Sequence, residues 1–376
     1  MVRVAVDARS VTSRRSGIGN YVEALLDELV PLAPDLDFLL LKNPDRSAPL
    51  AAGARVEERV FPGETKSVRT VFELGRALAS ARCELYHSPA DLVPLGLSCP
   101  YVVTIHDLMW LEARRLASSF LPVRLANGLW YTANITRAIR GARRVIAISE
   151  ATAAAIGRVF PEHLAKVRVV RHGLDLARYD PSRAGPRRLL DGLVPPGVRF
   201  SLIVGQGSPY KNHAGMVRAF VEAARNRPDE RLVLVRRFSR VDFEMKRLLA
   251  RPEVREKVLV VPFVSDEHLL ALYRYARQVL FVSHYEGFGL PALEAMALGT
   301  PVLASTAPAV REVTGDGALH VASTDHAAMV AAIRRLSDDE ALRDALTAAG
   351  RRRAATFSWR RAAEQTLAVY REALER

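Results

Sequence analysis

Short apolar runs alternate along the chain with segments in which apolar residues recur every three or four positions. The run Val2–Val6 precedes a segment from Gly19 to Val30 whose valine and leucine side chains share one helical face. Short apolar runs are typical of buried strands, and the three-to-four spacing is typical of amphipathic helices. Strands separated by helices predict a parallel sheet that is covered on both faces.

The alternation is interrupted between residues 180 and 197. This stretch, DPSRAGPRRLLDGLVPPG, is rich in proline, glycine and charge, and predicts a linker with one short helix. The strand and helix pattern restarts at Phe200–Val204. The sequence therefore predicts two doubly wound α/β domains, an arrangement in which ligands bind at the carboxyl ends of the strands.

One strand–turn–helix–strand segment, VLFVSHYEGFGLPALEAMALGTPVLAS at 279–305, has unusual turn chemistry. The backbone amides that enter its helix, together with the positive end of the helix dipole, predict a site for an anion such as a diphosphate. Two carboxylates eight residues apart, Glu286 and Glu294, lie on either side of that helix start. The turn and the first helical position comprise Gly287, Phe288, Gly289 and Leu290.

This segment resembles the E-x7-E motif of the retaining glycosyltransferases of the GT-B fold, the large family four. EGFGLPALEAMALGTPV agrees with that motif in type and spacing at nearly every position. The resemblance covers nearly the whole chain. Its opening, VDARS…SGIGNY, and the segment VTIHDL look most like bacterial mannosyltransferases of polysaccharide assembly.

The resemblance implies an α/β fold of the GT-B type, with two doubly wound Rossmann-like domains facing a cleft. It divides the chain into an N-terminal acceptor-binding domain, a linker, a C-terminal nucleotide-sugar-binding domain and a helix that crosses back to the N-terminal domain. The alternative for the last segment is a helix that caps the C-terminal domain. The expected bounds are 1–180, 181–197, 198–356 and 357–376.

The resemblance also implies roles for the two carboxylates and for the turn between them. Glu294 would bind the ribose hydroxyls of the nucleotide, because a carboxylate accepts hydrogen bonds from both hydroxyls of a diol. Glu286, with the amides of Gly287, Phe288 and Gly289, would hold hydroxyls of the transferred sugar.

The phosphate-binding residues depart from the family pattern. In VGQGSPYKNH, Lys211 and Asn212 match a family motif that ends in Arg-Lys-Asn and clamps the diphosphate. Tyr210 replaces the usual arginine, and Gln206 stands where some members have another arginine. Arg236 or its neighbour Arg237, where relatives usually have glycine after a strand, would then supply the missing cation. The competing interpretation, which the sequence alone favours, is a solvated arginine pair at a strand end.

Further positions are implied around the base, the sugar and the acceptor. Phe263 and Val264 follow a predicted strand and would border the base. His106 would contact the donor sugar near its primary hydroxyl, with Asp107 orienting the ring; the alternative is a satisfied buried histidine. Gly17 and Gly19 lie in the predicted loop 16–21 and would allow close backbone approach near donor phosphate and acceptor.

Composition limits the class of protein. Hydrophobic residues make up 49% and charged residues 25% of the chain, as is typical of a globular domain. The first residues, MVRVAVDAR, predict a strand rather than a signal peptide, since Asp7 interrupts a short apolar stretch. Cys83 and Cys99 are isolated, which favours a reducing cytoplasm and excludes a cysteine metal cluster. No metal or other cofactor is expected.

The formal net charge of +13 raises the question of an anionic partner. Six of the 54 basic residues are lysine, so codon bias towards arginine is one explanation. Attraction to anionic lipid or to a diphosphate-linked acceptor is the second, and nucleic acid is the third, although no nucleic-acid-binding motif is present. The apolar, arginine-rich segment 120–140 predicts either an amphipathic bilayer surface or, as favoured here, a core helix whose arginines face solvent.

The combined expectation is a retaining, metal-independent hexosyltransferase of cell-surface polysaccharide synthesis. GDP-mannose is the first donor expected, with a saccharide or lipid-linked saccharide as acceptor, and no nucleic acid. We expect the protein in the cytoplasm, with peripheral contact at the inner face of the plasma membrane as a further expectation. The rival enzymes are a GT-B sugar-nucleotide epimerase and a phosphorylase-like enzyme, and the rival without catalysis is a basic lipid- or nucleic-acid-binding protein.

Overall fold

The chain divides into two compact units. A computed structural model describes residues 2–13, 16–117, 120–237 and 242–375, without the side chain of Arg237. The first unit contains Met1–Glu112, Ala126–Gly173 and Ser358–Arg376, and the second contains Ala113–Leu125 and Leu174–Phe357. The assignment of donor and acceptor binding to separate domains stays a prediction. So do the expected bounds of 1–180, 181–197, 198–356 and 357–376.

The sheet of the first unit is entirely parallel across the strands that the structure describes. Its order is β3-β2-β1-β4-β5-β6-β7, so the direction of winding reverses between β1 and β4. The third strand was not predicted from the sequence, because its charged centre breaks the apolar pattern. The strands are β1 (Val2–Asp7), β2 (Leu36–Lys42), β3 (Val56–Val60), β4 (Leu85–Ser88), β5 (Tyr101–Ile105), β6 (Arg144–Ala147) and β7 (Val167–Val169).

The second unit repeats this architecture. Its sheet, again parallel throughout its described strands, has the order β10-β9-β8-β11-β12-β13 and reverses direction between β8 and β11. The strands are β8 (Arg199–Gln206), β9 (Glu230–Arg237), β10 (Val258–Val261), β11 (Gln278–Phe281), β12 (Val302–Ser305) and β13 (Leu319–Val321). Two doubly wound α/β units confirm the predicted fold class.

Helices form most of the crossovers between these parallel strands, whereas loops join β2 to β3 and β4 to β5. The predicted linker contains two short 3-10 turns, Pro181–Arg183 and Arg187–Leu190, where one helix was expected. The helices are α1 (Gly17–Leu32), α2 (Val68–Ala79), α3 (Met109–Glu112), α4 (Arg114–Ala117), α5 (Leu121–Gly141), α6 (Glu150–Val159), α7 (His213–Ala223), α8 (Phe243–Leu249), α9 (Pro252–Lys257), α10 (Asp266–Tyr275), α11 (Leu290–Ala297), α12 (Pro308–Thr314), α13 (His326–Asp338), α14 (Glu340–Ala354) and α15 (Trp359–Leu374).

The prediction of a loop at 16–21 is wrong, because α1 begins at Gly17. Ser16 has an extended backbone and its hydroxyl accepts the Gly19 N–H at 3.0 Å, which caps the helix. Gly19 faces the Ser10 carbonyl so closely that a Cβ would lie 2.5 Å from its oxygen. Glycine is required there for packing, whereas a Cβ on Gly17 would meet no atom within 4 Å.

The helix α15 is part of the first unit. It packs against α1, and Ala363, Leu367 and Tyr370 lie in the same buried core as Val4 of β1. The Tyr370 hydroxyl lies 2.7 Å from Nδ1 of the fully buried His87. Burial lowers the pKa of His87 to about 3, so this ring is neutral.

Candidate functional site

The switch point of the second sheet brings two loops together. Lys211 follows β8 and Glu286 follows β11, the two neighbouring strands between which the winding direction reverses. Loops at the carboxyl ends of such strands form the ligand crevice of doubly wound sheets. The side-chain amide of Asn212 donates to the Val282 carbonyl at 3.0 Å and to the Ser323 carbonyl at 3.1 Å, which ties the first loop to the second.

Lys211 and Glu286 form a bidentate ion pair. The Lys211 Nζ lies 2.8 Å from each carboxylate oxygen of Glu286, and the two side chains are 16% and 7% exposed. The ammonium also lies 5.1 Å from the centre of the Tyr210 ring and 5.7 Å from that of Phe281. Tyr210, which stands where the resemblance leads one to expect arginine, therefore stabilises the Lys211 ammonium by a cation–π interaction.

The turn from Glu286 into α11 leaves backbone amides at the helix start. Gly289 has a φ of +130°, a conformation that L side chains rarely adopt, and its φ turns the chain into the helix. Pro291 occupies the first turn, and no side chain caps α11 among the described residues. The Phe288 ring is buried and meets Phe357 edge-on at 5.7 Å, so this side chain belongs to the packing beneath the turn.

Glu294 lies one turn into α11 and is held by two tyrosines. Its Oε1 accepts the Tyr179 hydroxyl at 2.8 Å, and its Oε2 accepts the Tyr273 hydroxyl at 2.9 Å. Burial and the Glu294 charge raise the pKa of Tyr273 well above its ordinary value, so Tyr273 stays a proton donor. The sequence did not indicate either tyrosine, because Tyr179 comes from a turn and Tyr273 from α10.

Arg236 is buried, with 4% of its surface exposed, and pairs with Asp242. Burial lowers the pKa of the Arg236 guanidinium to about 10. Burial lowers the pKa of His213 to about 3, and the charges of Arg236 and Lys211 add to this effect. Both cations therefore lie near the same histidine. Arg236 lines a cavity of about 430 Å³ with Gly207 and Asn212. Its use by phosphate stays a prediction, and the Arg237 side chain lies outside the described part.

The remaining predicted donor residues lie at strand ends of the same unit. Gln206 is exposed at the end of β8. Phe263, just after β10, is 72% exposed, and Val264 beside it is half-buried. An exposed aromatic ring at a strand end suits stacking on a base, and this role stays a prediction.

In the first unit, His106 follows β5 and is oriented by the backbone and by Asp91. The His106 N–H donates to Asp91 Oδ1 at 2.7 Å, and Nε2 lies 2.8 Å from the Pro89 carbonyl oxygen. A carbonyl only accepts, so Nε2 carries a proton and donates it to the Pro89 carbonyl. The edge of the ring meets Tyr21 at a centroid distance of 5.2 Å. Its contact with a sugar stays a prediction.

The expectation that Asp107 orients the His106 ring is wrong. Asp107 Oδ1 accepts the Met109 N–H at 2.9 Å and so caps α3, while the Pro89 carbonyl holds the ring. Burial and the charge of Asp91 raise the pKa of Asp107. Sequence reasoning did not identify Asp91. Its other oxygen accepts a hydrogen bond from Lys66 Nζ at 2.6 Å. Its φ of +62° is uncommon for a residue other than glycine.

Comparisons with known proteins agree with this topology. The chain has a TM-score of 0.76 to sucrose-phosphate synthase from Thermosynechococcus elongatus, with 21% identity over 99% of this chain and 98% of that one. It has a TM-score of 0.72 to Anabaena HepE in complex with UDP and glucose, with 18% identity over 99% of this chain and 100% of that one. Two parallel doubly wound units of this kind define the GT-B class of glycosyltransferases, and the predicted GT-B fold is confirmed.

Sequence comparison gives the family. Residues 15–178 match Glycosyltransferase Family 4, and residues 192–353 match Glycosyl transferases group 1. A D-inositol 3-phosphate glycosyltransferase of Pseudarthrobacter chlorophenolicus is 32% identical over 86% of this chain and 79% of its own length. The chain belongs to the glycosyltransferases of family four and group 1, which confirms the predicted family, while the E-x7-E assignment stays a prediction.

Two other relatives match over less of their length. A D-inositol 3-phosphate glycosyltransferase of Kineococcus radiotolerans is 34% identical over 63% of this chain. The O-antigen chain mannosyltransferase B of Escherichia coli is 34% identical over 46% of this chain. The matched regions span 59% and 45% of those two relatives, respectively.

Proposed function

We propose that the protein is a retaining, metal-independent hexosyltransferase that moves mannose from GDP-mannose to a saccharide or lipid-linked saccharide acceptor. The Lys211–Glu286 pair in the loops that lead to α7 and α11 is the observation that carries this proposal. Family membership supports glycosyl transfer. The mannosyltransferase of Escherichia coli supports mannose, and the HepE complex with UDP and glucose supports a nucleotide-sugar donor.

In this proposal the donor diphosphate takes the place of Glu286 beside Lys211. The ammonium and the amides at the start of α11 would face the phosphate oxygens, where charge grows as the bond to the anomeric carbon breaks. Such fixed donors stabilise the transition state more than the ground state, which is the condition for a faster reaction. Glu286, released from Lys211, would then hold hydroxyls of the sugar.

Retention follows if the acceptor hydroxyl attacks the face that the diphosphate leaves. The departing phosphate oxygen would accept the proton of that hydroxyl, so no side-chain nucleophile is required. Glu294 would bind the ribose of the donor, where its two oxygens are already fixed by hydrogen bonds. These contacts neutralise and position the donor with protein groups alone.

The test is thermal unfolding of the purified protein with GDP-, UDP- and ADP-sugars in the presence of a chelator. A ligand that binds only the folded state raises its stability. We expect GDP-mannose to raise the Tm and Glu294→Ala to abolish the shift. Release of GDP only when an acceptor saccharide is added would separate transfer from epimerase or phosphorylase chemistry. No shift with any nucleotide sugar would contradict the donor site.

A surface of the first unit supports a second proposal, contact with an anionic bilayer. Leu129 of α5 is 69% exposed, and Phe72 of α2 and Leu95 are also exposed. The Leu95 N–H donates to Val71 of α2 at 2.7 Å, and Leu95 and Arg140 of α5 line one open groove of about 720 Å³. We call this surface, with Phe72, Leu95, Leu129 and Arg140, the α2–α5 face.

The favoured interpretation of segment 120–140, a core helix whose arginines face solvent, holds only for the second half of α5. Ile135 and Ile139 of α5 are buried as expected, but Leu121, Leu125 and Leu129 face solvent in its first half. From residue 113 to residue 149 the chain has seven arginines and no acidic residue. Apolar side chains flanked by cations fit an anionic lipid surface, and a second copy of this cationic face would be repelled.

No helix among the described residues is long and apolar enough to cross a bilayer. The test is therefore co-sedimentation with phosphatidylglycerol vesicles and with phosphatidylcholine vesicles. We expect binding to the anionic vesicles only, and its loss in Leu129→Asp with the fold retained. Leu164→Asp changes another half-exposed leucine of the same unit and serves as the matched control. Equal binding by Leu129→Asp and the wild type, or binding to nucleic acid instead, would contradict the proposal.

A further inference from the structure

We propose that Tyr179 and Tyr273 are positioning residues that fix the Glu294 carboxylate for a ribose diol. This inference rests on the proposed function, in which Glu294 binds the ribose of the donor. It adds two residues of this chain to that site, and neither belongs to the segment 279–305 in which the motif lies.

The two oxygens of Glu294 accept from two different tyrosines. An ionised carboxylate has two oxygens with about four acceptor positions in total. Tyr179 uses one position on Oε1 at 2.8 Å, and Tyr273 uses one on Oε2 at 2.9 Å. Each oxygen is therefore oriented by a donor of its own, and in the proposed function the two oriented oxygens face the two neighbouring hydroxyls of a ribose.

The two tyrosines are themselves held in place. Tyr273 is fully buried in α10, and its backbone carbonyl accepts the Thr300 hydroxyl at 2.5 Å. Tyr179 is 9% exposed, its N–H donates to the Asp175 carbonyl at 3.0 Å, and the Arg178 guanidinium lies over its ring at 5.6 Å. Rigid donors on both oxygens lock the plane of the carboxylate before the ligand arrives, which lowers the ordering cost of binding.

Loss of either tyrosine hydroxyl removes a hydrogen bond that orients one oxygen of Glu294. The tyrosines therefore improve binding of donor and transition state equally, because the ribose is remote from the bond that breaks. Loss of such uniform binding raises KM and leaves kcat nearly unchanged. A group that acted on the reacting atoms would lower kcat instead.

The experiment compares Tyr179→Phe, Tyr273→Phe and the wild type for affinity towards GDP and 2′-deoxy-GDP, or the matching UDP pair if uridine nucleotides bind. We expect each variant to bind the ribonucleotide on the order of tenfold more weakly. The preference for ribo- over deoxyribonucleotide should also fall in the variants, because the lost orientation affects the 2′-hydroxyl contact. Tyr275→Phe, two residues after Tyr273 at the end of α10, is the matched control and should match the wild type.

The outcomes separate this inference from the proposed function. If Glu294→Ala weakens nucleotide binding but both phenylalanine variants keep the wild-type affinity and ribose preference, the positioning role is wrong. If Glu294→Ala itself binds as the wild type does, the donor site is wrong and the inference falls with it. A uniform loss of affinity for both nucleotides, with the ribose preference intact, would indicate a purely structural role and would also overturn the inference. Tyr179→Phe keeps the test open if the buried Tyr273 variant does not fold.

Discussion

The Lys211 ammonium is equidistant from the two carboxylate oxygens of Glu286, at 2.8 Å from each. The sequence assigned these residues to two different parts of a donor, the phosphate and the sugar. In the structure each is the counter-ion of the other, and both are largely buried. A bound nucleotide sugar would therefore replace an existing ion pair, so that neither charge is left buried without compensation.

The first prediction concerns the cation. Lys211→Ala should lower kcat by about 10²-fold or more, because it removes a donor aimed at the leaving diphosphate. The measurement is steady-state turnover with GDP-mannose or with whichever nucleotide sugar stabilises the protein. Lys246→Ala, which removes an exposed lysine of α8, is the control and should keep wild-type turnover. Equal turnover in Lys211→Ala and Lys246→Ala would refute the phosphate assignment.

The second prediction concerns the stability of the same pair. Lys211→Ala leaves Glu286 as a buried charge without this partner, and breaking a buried pair costs about 3 kcal/mol. Lys211→Ala with Glu286→Gln should recover part of this loss, since the unpaired charge is gone. Urea unfolding of the single and double variants measures the coupling. If the losses of stability simply add, the two side chains do not interact as the structure indicates.

The third prediction uses two glycines of one helix. Gly19→Ala should destabilise the protein by about 1–3 kcal/mol, because its Cβ would strike the Ser10 carbonyl. Gly17→Ala has open space and should be neutral or stabilising by up to about 1 kcal/mol, since alanine favours the helix. Thermal unfolding of both variants is the check. Equal destabilisation would mean that α1 does not begin at Gly17 with the packing described.

The fourth prediction concerns pH and the Lys66–Asp91 pair. Burial opposes ionisation of Asp91, but the charges of Lys66 and His106 outweigh it and lower the pKa of Asp91 below its ordinary value of 3.8. A lowered pKa means that the stabilisation is present above the unfolded pKa and is lost as the pH falls through the folded one. At neutral pH the free energy of unfolding of the wild type should be about 2 kcal/mol higher than that of Asp91→Asn.

This difference should shrink below about pH 4, where the carboxylate takes up a proton. Urea unfolding of both proteins at pH 7 and at acid pH measures it. A difference that is constant across this range would show that the charge of Asp91 is not the source of its effect. Asp45→Asn, at an aspartate near the surface hydroxyl of Ser13, provides a control for a general effect of losing one carboxylate.

Several short strands were predicted with their observed bounds, namely Tyr101–Ile105, Val258–Val261 and Leu319–Val321. The first is an interior strand marked by its apolar run, whereas the other two are edge strands with partly exposed side chains. The start of α1 was misjudged, since glycine weakens helix propensity but the Ser16 cap and the close contact at Gly19 decide the local structure.

The site was predictable where its residues lie close in sequence to a motif. Glu286 and Glu294 became candidates because they flank a strand–turn–helix start, and Lys211 because VGQGSPYKNH resembles a family motif. Tyr179 and Tyr273 did not become candidates, because each reaches Glu294 only through the tertiary fold and no local pattern marks a side chain by its distant partner. The solvent-facing leucines of α5 were missed for a related reason, as helical periodicity gives a face without telling what covers it.

The place of α15 has a consequence for biosynthesis. Its residues Ala363, Leu367 and Tyr370 complete a core that begins with Val4, while the second unit draws on residues 113–125 and 174–357 alone. On the ribosome, the segments of the second unit emerge before α15 does. The first unit, whose synthesis begins first, therefore keeps part of its apolar interior uncovered until α15 leaves the exit tunnel.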